Sequence, residues 1–79
     1  VLHVITALDL AVSKIGRFQE RDREDILALA RFRLIRSGEV ERRAQEALDY
    51  FVGDTTYIQY NLRDAVDLIR AVEGEQEPT

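Results

Sequence analysis

Apolar residues return at helical spacing in four successive segments of this 79-residue chain, and that pattern limits its fold more than any other feature. Leu8, Ala11, Val12 and Ile15 mark the first stripe. Ile26, Leu29, Ala30 and the run Phe32 to Ile35 supply the second. Val40, Ala44, Ala47, Leu48 and Phe51 form the third, and Leu62, Ala65, Val66, Ile69 and Val72 the fourth. Each stripe needs cover from another helix, and short connections between such segments favour antiparallel neighbours. The second segment is apolar on more than one stripe, which predicts a central position for it.

Capping chemistry divides the segments. Thr6 with Asp9 has the spacing of a capping box and opens a helix over about 7–18. Asp22 with Asp25 repeats that spacing, and Ser37-Gly38 reads as the C-cap that closes the second helix. The third helix then covers Glu39 to Phe51. Asn61 with Asp64 gives a third cap, for a last helix over about 62–73. Thr55 to Tyr60 is β-branched and aromatic, so strand, loop and continuing helix all fit it. Val1 to Ile5 reads as a strand end or an extended arm, and residues 74–79 as a frayed acidic tail. The expected fold class is all-α. It is a small bundle of about four helices (residues 6–73) with a short N-terminal strand or arm (residues 1–5) and a disordered tail. The absence of methionine, even at position 1, suggests a fragment of a larger α/β protein.

Several chemistries drop out. Without cysteine there is no disulfide, thiolate metal site or cysteine nucleophile. One histidine, His3, cannot form a two-histidine metal site, and its place in an apolar run makes it a packed or solvent-facing residue rather than a base. Ser13 has no histidine near enough to activate it. No apolar run reaches the roughly 18 residues of a membrane span, and no signal peptide is visible, so a cytoplasmic location is expected. The formal charge of −4 argues against nonspecific nucleic-acid binding. The arginines from Arg31 to Arg43 flank the Ser37-Gly38 turn as in a helix-turn-helix, but Glu39, Glu41 and Glu46 interrupt that face.

The segment richest in chemistry runs from Asp9 to Ile26. Lys14 and Arg17 stand three residues apart on a helix, away from the apolar line. Arg21, Asp22 and Asp25 begin the next helix. If the two helices pair, basic and acidic groups converge near one end. Arginine forks, a lysine point charge and a helix N-terminus together suit phosphate. The structural alternative is simple: Asp22 and Asp25 are what a helix N-terminus prefers, and Lys14 is solvated.

Leu8-Asp9-Leu10-Ala11-Val12-Ser13-Lys14-Ile15-Gly16-Arg17-Phe18 followed by Arg21-Asp22-Arg23-Glu24-Asp25-Ile26 resembles a region of nucleotidyltransferase-like proteins. These are bacterial families related to abortive-infection-type nucleotidyltransferase toxins, which brings toxin–antitoxin biology with it. Their pattern places a lysine in a helix after the catalytic sheet, then a basic residue and an Arg-Asp-x-x-Asp-hydrophobic segment. Residues 47–54 and 61–65 also resemble the continuation of such proteins. The resemblance implies that this chain is their C-terminal helical part. Lys14 and Arg17 would contact nucleotide phosphates, and Asp22 and Asp25 would position them or hold the lid together by ion pairs. Arg21 is a further candidate binding residue, and for Arg21 and Asp22 a structural ion pair is the commoner role. The partner would be an N-terminal catalytic domain of the same gene product, holding magnesium and a nucleoside triphosphate. That family's Gly-Ser loop and acid-x-acid strand are missing here, so the chain alone is expected to be inactive. The alternative is a non-catalytic interaction module that buries spare apolar surface in a homodimer. Tyr50, Tyr57 and Tyr60 with Phe51 could stack on bases, but their spacing predicts that they close the bundle.

Overall fold

The computed structural model describes residues 6–76, and in it every regular element is an α-helix. The helices are α1 (Ala7–Arg17), α2 (Glu20–Arg31), α3 (Ser37–Asp49) and α4 (Thr56–Gln76). The all-α bundle expected from the periodicity is therefore the fold. The strand or arm expected at residues 1–5 lies outside the described residues, as do residues 77–79.

Local chemistry explains where each helix starts and stops. At α1 the Thr6 hydroxyl accepts the Asp9 N–H at 3.1 Å, as the sequence predicts. Asp9 lies in its first turn and Lys14 and Arg17 in its last, matching the helix dipole. The helix ends at Phe18, a left-handed residue with φ 43° whose N–H donates to the Lys14 carbonyl at 2.7 Å.

The start of α2 lies earlier than the Asp22 cap predicts. Gln19 is the N-cap, and Asp22 is the third residue of the helix, accepting the Gln19 N–H at 3.0 Å. Its end is also different. The Leu34 N–H donates to the Leu29 carbonyl and the Arg33 N–H to the Ala30 carbonyl, both at 2.9 Å. This is a Schellman motif with Arg33, at φ 61°, in the left-handed place that glycine usually takes. Ser37-Gly38 consequently closes nothing. Ser37 instead opens α3, where Glu73 of α4 caps it: the Ser37 N–H donates at 3.2 Å and its hydroxyl at 2.6 Å.

Thr55 to Tyr60 resolves into the start of α4. Asp54 accepts both the Thr56 N–H (2.9 Å) and its hydroxyl (2.6 Å), so the helix begins six residues before the predicted one. It also runs further, through Gln76, whose amide donates to the Arg31 carbonyl at 2.9 Å. Residues 74–76 are helix rather than tail.

The chain runs up, down, up and down. α1 and α4 each pack against all three other helices, whereas α2 and α3 do not pack on one another. The central position predicted for α2 belongs to α1 and α4. Ile15, Ile26, Val40 and Ile69, one from each helix, are fully buried at the centre of a single core. The apolar residues that made α2 look central are split. Ile26 and Ala30 are buried, Leu27 and Leu29 are partly covered, and Phe32 and Leu34 beyond its end are exposed. Among the described residues no helix is long and apolar enough to cross a membrane.

Candidate functional site

The turn between α1 and α2 contains only Phe18 and Gln19. So short a connection holds the last turn of α1 against the first turn of α2, and it brings four of the five predicted site residues together. Arg17 grips Asp22 through two parallel bonds, Nε to Oδ2 at 2.9 Å and Nη2 to Oδ1 at 2.8 Å. This is the fork geometry that makes arginine–carboxylate pairs strong. Lys14 Nζ lies 2.8 Å from Asp25 Oδ2 and 3.8 Å from Asp22 Oδ1. Asp22 thus joins both cations and the Gln19 N–H.

Asp22 is closed to solvent, its side chain 1% exposed, although it sits close to the protein surface. What covers it is the Arg17 guanidinium and the turn itself. The Arg17 bonds, then the Gln19 N–H, hold its carboxyl well below the usual carboxylate range; burial opposes them, and Lys14 adds a smaller pull. Arg17 remains largely exposed and Lys14 is mostly covered. No buried side-chain nitrogen or oxygen is left without a partner among the described residues.

Arg21 does not join the cluster. It is exposed and forms no ion pair among the described residues. Three other residues belong to this end without having been singled out. Gln19 supplies the N–H just described. Asn61 of α4 donates its amide to the Ile15 carbonyl at 3.2 Å, tying α4 to the last turn of α1. Arg23 stacks over Phe18, 5.2 Å from its ring centroid, where a cation–π contact is favourable. Gln19 was readable in principle, as a capping residue three places before an aspartate. Nothing local marks Asn61, because its partner is 46 residues away.

The cluster is chemically a closed one. Every carboxylate in it already holds a cation, and among the described residues no three histidine, aspartate or glutamate side chains gather as a metal site. The cation most easily released is Lys14 from Asp25, because that carboxylate is nearly half exposed. Arg17 would have to abandon a buried partner.

The tyrosines do not close the bundle as predicted. Tyr50, Tyr57 and Tyr60 are exposed, with Phe51 and Val52 beside them. An open groove of about 500 Å³ runs between α3 and α4, with Tyr60, Glu41, Arg63 and Arg70 on its walls. In the arginine-rich stretch Arg43 is engaged by Asp9 and Glu46. No protein-family model, curated protein or solved structure matches this chain.

Proposed function

We propose that the bundle is the C-terminal helical subdomain of a nucleotidyltransferase-like protein, where it completes a nucleotide or substrate pocket and is inactive alone. One observation supports this reading above the others: Lys14, Arg17, Asp22 and Asp25, the residues of the family-like segment, meet at one end of α1 and α2. Their roles divide. Arg17 and Asp22 position, locking the turn so that the last helical turn of α1 is rigid. Lys14 contacts phosphate, exchanging the exposed Asp25 carboxylate for a phosphate oxygen. These residues do not fit a magnesium ion, because each carboxylate already holds a cation. Any metal and the nucleoside triphosphate belong to the N-terminal catalytic domain of the parent.

The test uses the full gene product with each nucleoside triphosphate and magnesium. Lys14→Ala is expected to weaken nucleotide affinity roughly tenfold or more, the scale of one lost charge-assisted contact. Asp25→Asn releases Lys14 and is expected to keep or raise that affinity. Unchanged affinity in Lys14→Ala, or a gene product without nucleotidyl transfer, would overturn the reading.

A second reading, a non-catalytic interaction module forming a homodimer, is favoured by the large apolar side chains that stay exposed at both ends of the bundle.

A further inference from the structure

The two ends of the bundle differ in a complementary way. At the α2–α3 corner, Phe32 is 76% and Leu34 58% exposed; Arg31, Arg33 and Arg36 neighbour them in the chain, and Glu39 and Glu73 lie near Arg36. None of these arginines forms an ion pair among the described residues. The Schellman motif fixes this corner, so Phe32 and Leu34 are presented by a rigid backbone. The corner is a basic apolar knob.

The α3–α4 connection lies at the opposite end. α3 starts beside the end of α4, where Ser37 meets Glu73, and finishes next to its start. Here Tyr50 is 89% and Val52 96% exposed, with Phe51, Tyr57 and Tyr60 about half to two-thirds exposed. Asp49, Asp54 and Asp64 are their chain neighbours, and none of the three holds a cation among the described residues; Arg63, beside Tyr60, is a base on the same surface. This is an acidic aromatic surface. Its five residues, backbone and tyrosine hydroxyls included, present on the order of 700 Å², close to the roughly 800 Å² that one partner contributes to a standard interface.

We propose that the occupant of each end is a second copy of this chain, bound head to tail. The Arg31–Arg36 knob of one copy docks on the Asp49–Tyr60 surface of the next. Phe32 seats among tyrosine and phenylalanine rings, and the arginines meet Asp49, Asp54 and Asp64. The prevailing charges of the two ends are opposite in this arrangement, three arginines against three aspartates, whereas a two-fold dimer through either end alone would bring the prevailing charge against itself. A head-to-tail contact leaves a free knob and a free surface on every open assembly, so association continues until a ring closes or a short filament forms. The proposal rests on the interaction-module reading and not on any nucleotide role.

Sedimentation velocity of the wild-type chain, from micromolar to millimolar concentration, is the first measurement. Association beyond a dimer is expected, and added salt is expected to weaken it. Phe32→Glu and Tyr50→Lys each change an exposed residue and are expected to weaken association roughly tenfold or more while the thermal melt is retained. The decisive sample is their mixture. Phe32→Glu keeps an intact surface and Tyr50→Lys an intact knob, so the two together are expected to form a one-to-one dimer that grows no further. A mixture that stays monomeric would overturn the head-to-tail contact. So would a dimer that only one of the two substitutions disrupts, which is the mark of a two-fold interface and would leave the interaction-module reading standing. A wild-type chain that stays monomeric throughout would sink both.

Discussion

Two corners share one end of this bundle and are built on opposite principles. The α1–α2 corner turns in two residues and pairs Lys14, Arg17, Asp22 and Asp25 with one another, with Asp22 at the centre of the pairing. The α3–α4 corner takes the longer path 50–55 and leaves its apolar side chains in water. One corner is held by partners of its own chain, and the other displays groups without them. The difference separates two kinds of conspicuous residue. Charged residues that draw the eye in a sequence can be wholly spent on holding a turn. Aromatic residues that look like core can be left outside when a connection carries them past the last layer of helices.

The contrast can be tested from its strongest element downward. Ile26 lies one turn after Asp22 and is fully buried, so Ile26→Ala is expected to cost about 2–5 kcal/mol in denaturant unfolding. Asp22→Asn should come next. It leaves Arg17 and the Gln19 N–H short of a carboxylate, and its melting temperature should fall measurably, by less than in Ile26→Ala. Its pH signature is specific. The folded-state pKa of Asp22 is depressed, so its contribution is complete above the unfolded value of roughly 4 and disappears as pH falls toward the folded value. The stability curves of wild type and Asp22→Asn should therefore converge in acid; parallel curves would show that the pairing contributes nothing.

Glu73→Ala should cost about 1 kcal/mol, the usual worth of a helix cap, with α3 fraying first in hydrogen exchange. Arg33→Gly should instead gain about 0.5–1 kcal/mol, since glycine relieves the left-handed strain at φ 61° and gives back part of that gain as chain entropy. At the far end of the scale, Tyr50→Ser should move stability by no more than about 0.5 kcal/mol in dilute solution. A larger loss would mean that the open corner is held by its own chain after all.

The periodic residues made the fold legible. Leu8 to Ile15, Leu62 to Val72, and Val40, Ala44 and Leu48 of the third stripe are buried or half-buried because spacing and burial obey the same geometry, while Ala47 and Phe51, toward and past the end of α3, are exposed. Boundaries were less legible where a capping residue has two uses. Asp22 was read as an N-cap and instead reaches back from the third position, which moves α2 to Glu20. Ser37-Gly38 resembles a helix end, yet Arg33 had already adopted the left-handed conformation four residues earlier. At Thr55 to Tyr60 side-chain preference left strand, loop and helix open, and Asp54 decides for helix by bonding Thr56. For the site, the convergence of Lys14, Arg17, Asp22 and Asp25 followed from a short turn between two helices. That Asp22 would be sealed by Arg17 did not follow, because closure depends on rotamers and on which side α4 approaches.

The placement of α4 carries a consequence for synthesis. The first three helices leave the ribosome with α2 and α3 on either side of α1 and no contact between them. Ile15, Ile26 and Val40 then have no common lid until Thr56–Gln76 has emerged. The nascent chain should stay open and attractive to chaperones up to that moment, then close in one late step. A premature stop in the 50–55 connection would yield a product with three of its helices and a core left uncovered on the side that α4 occupies.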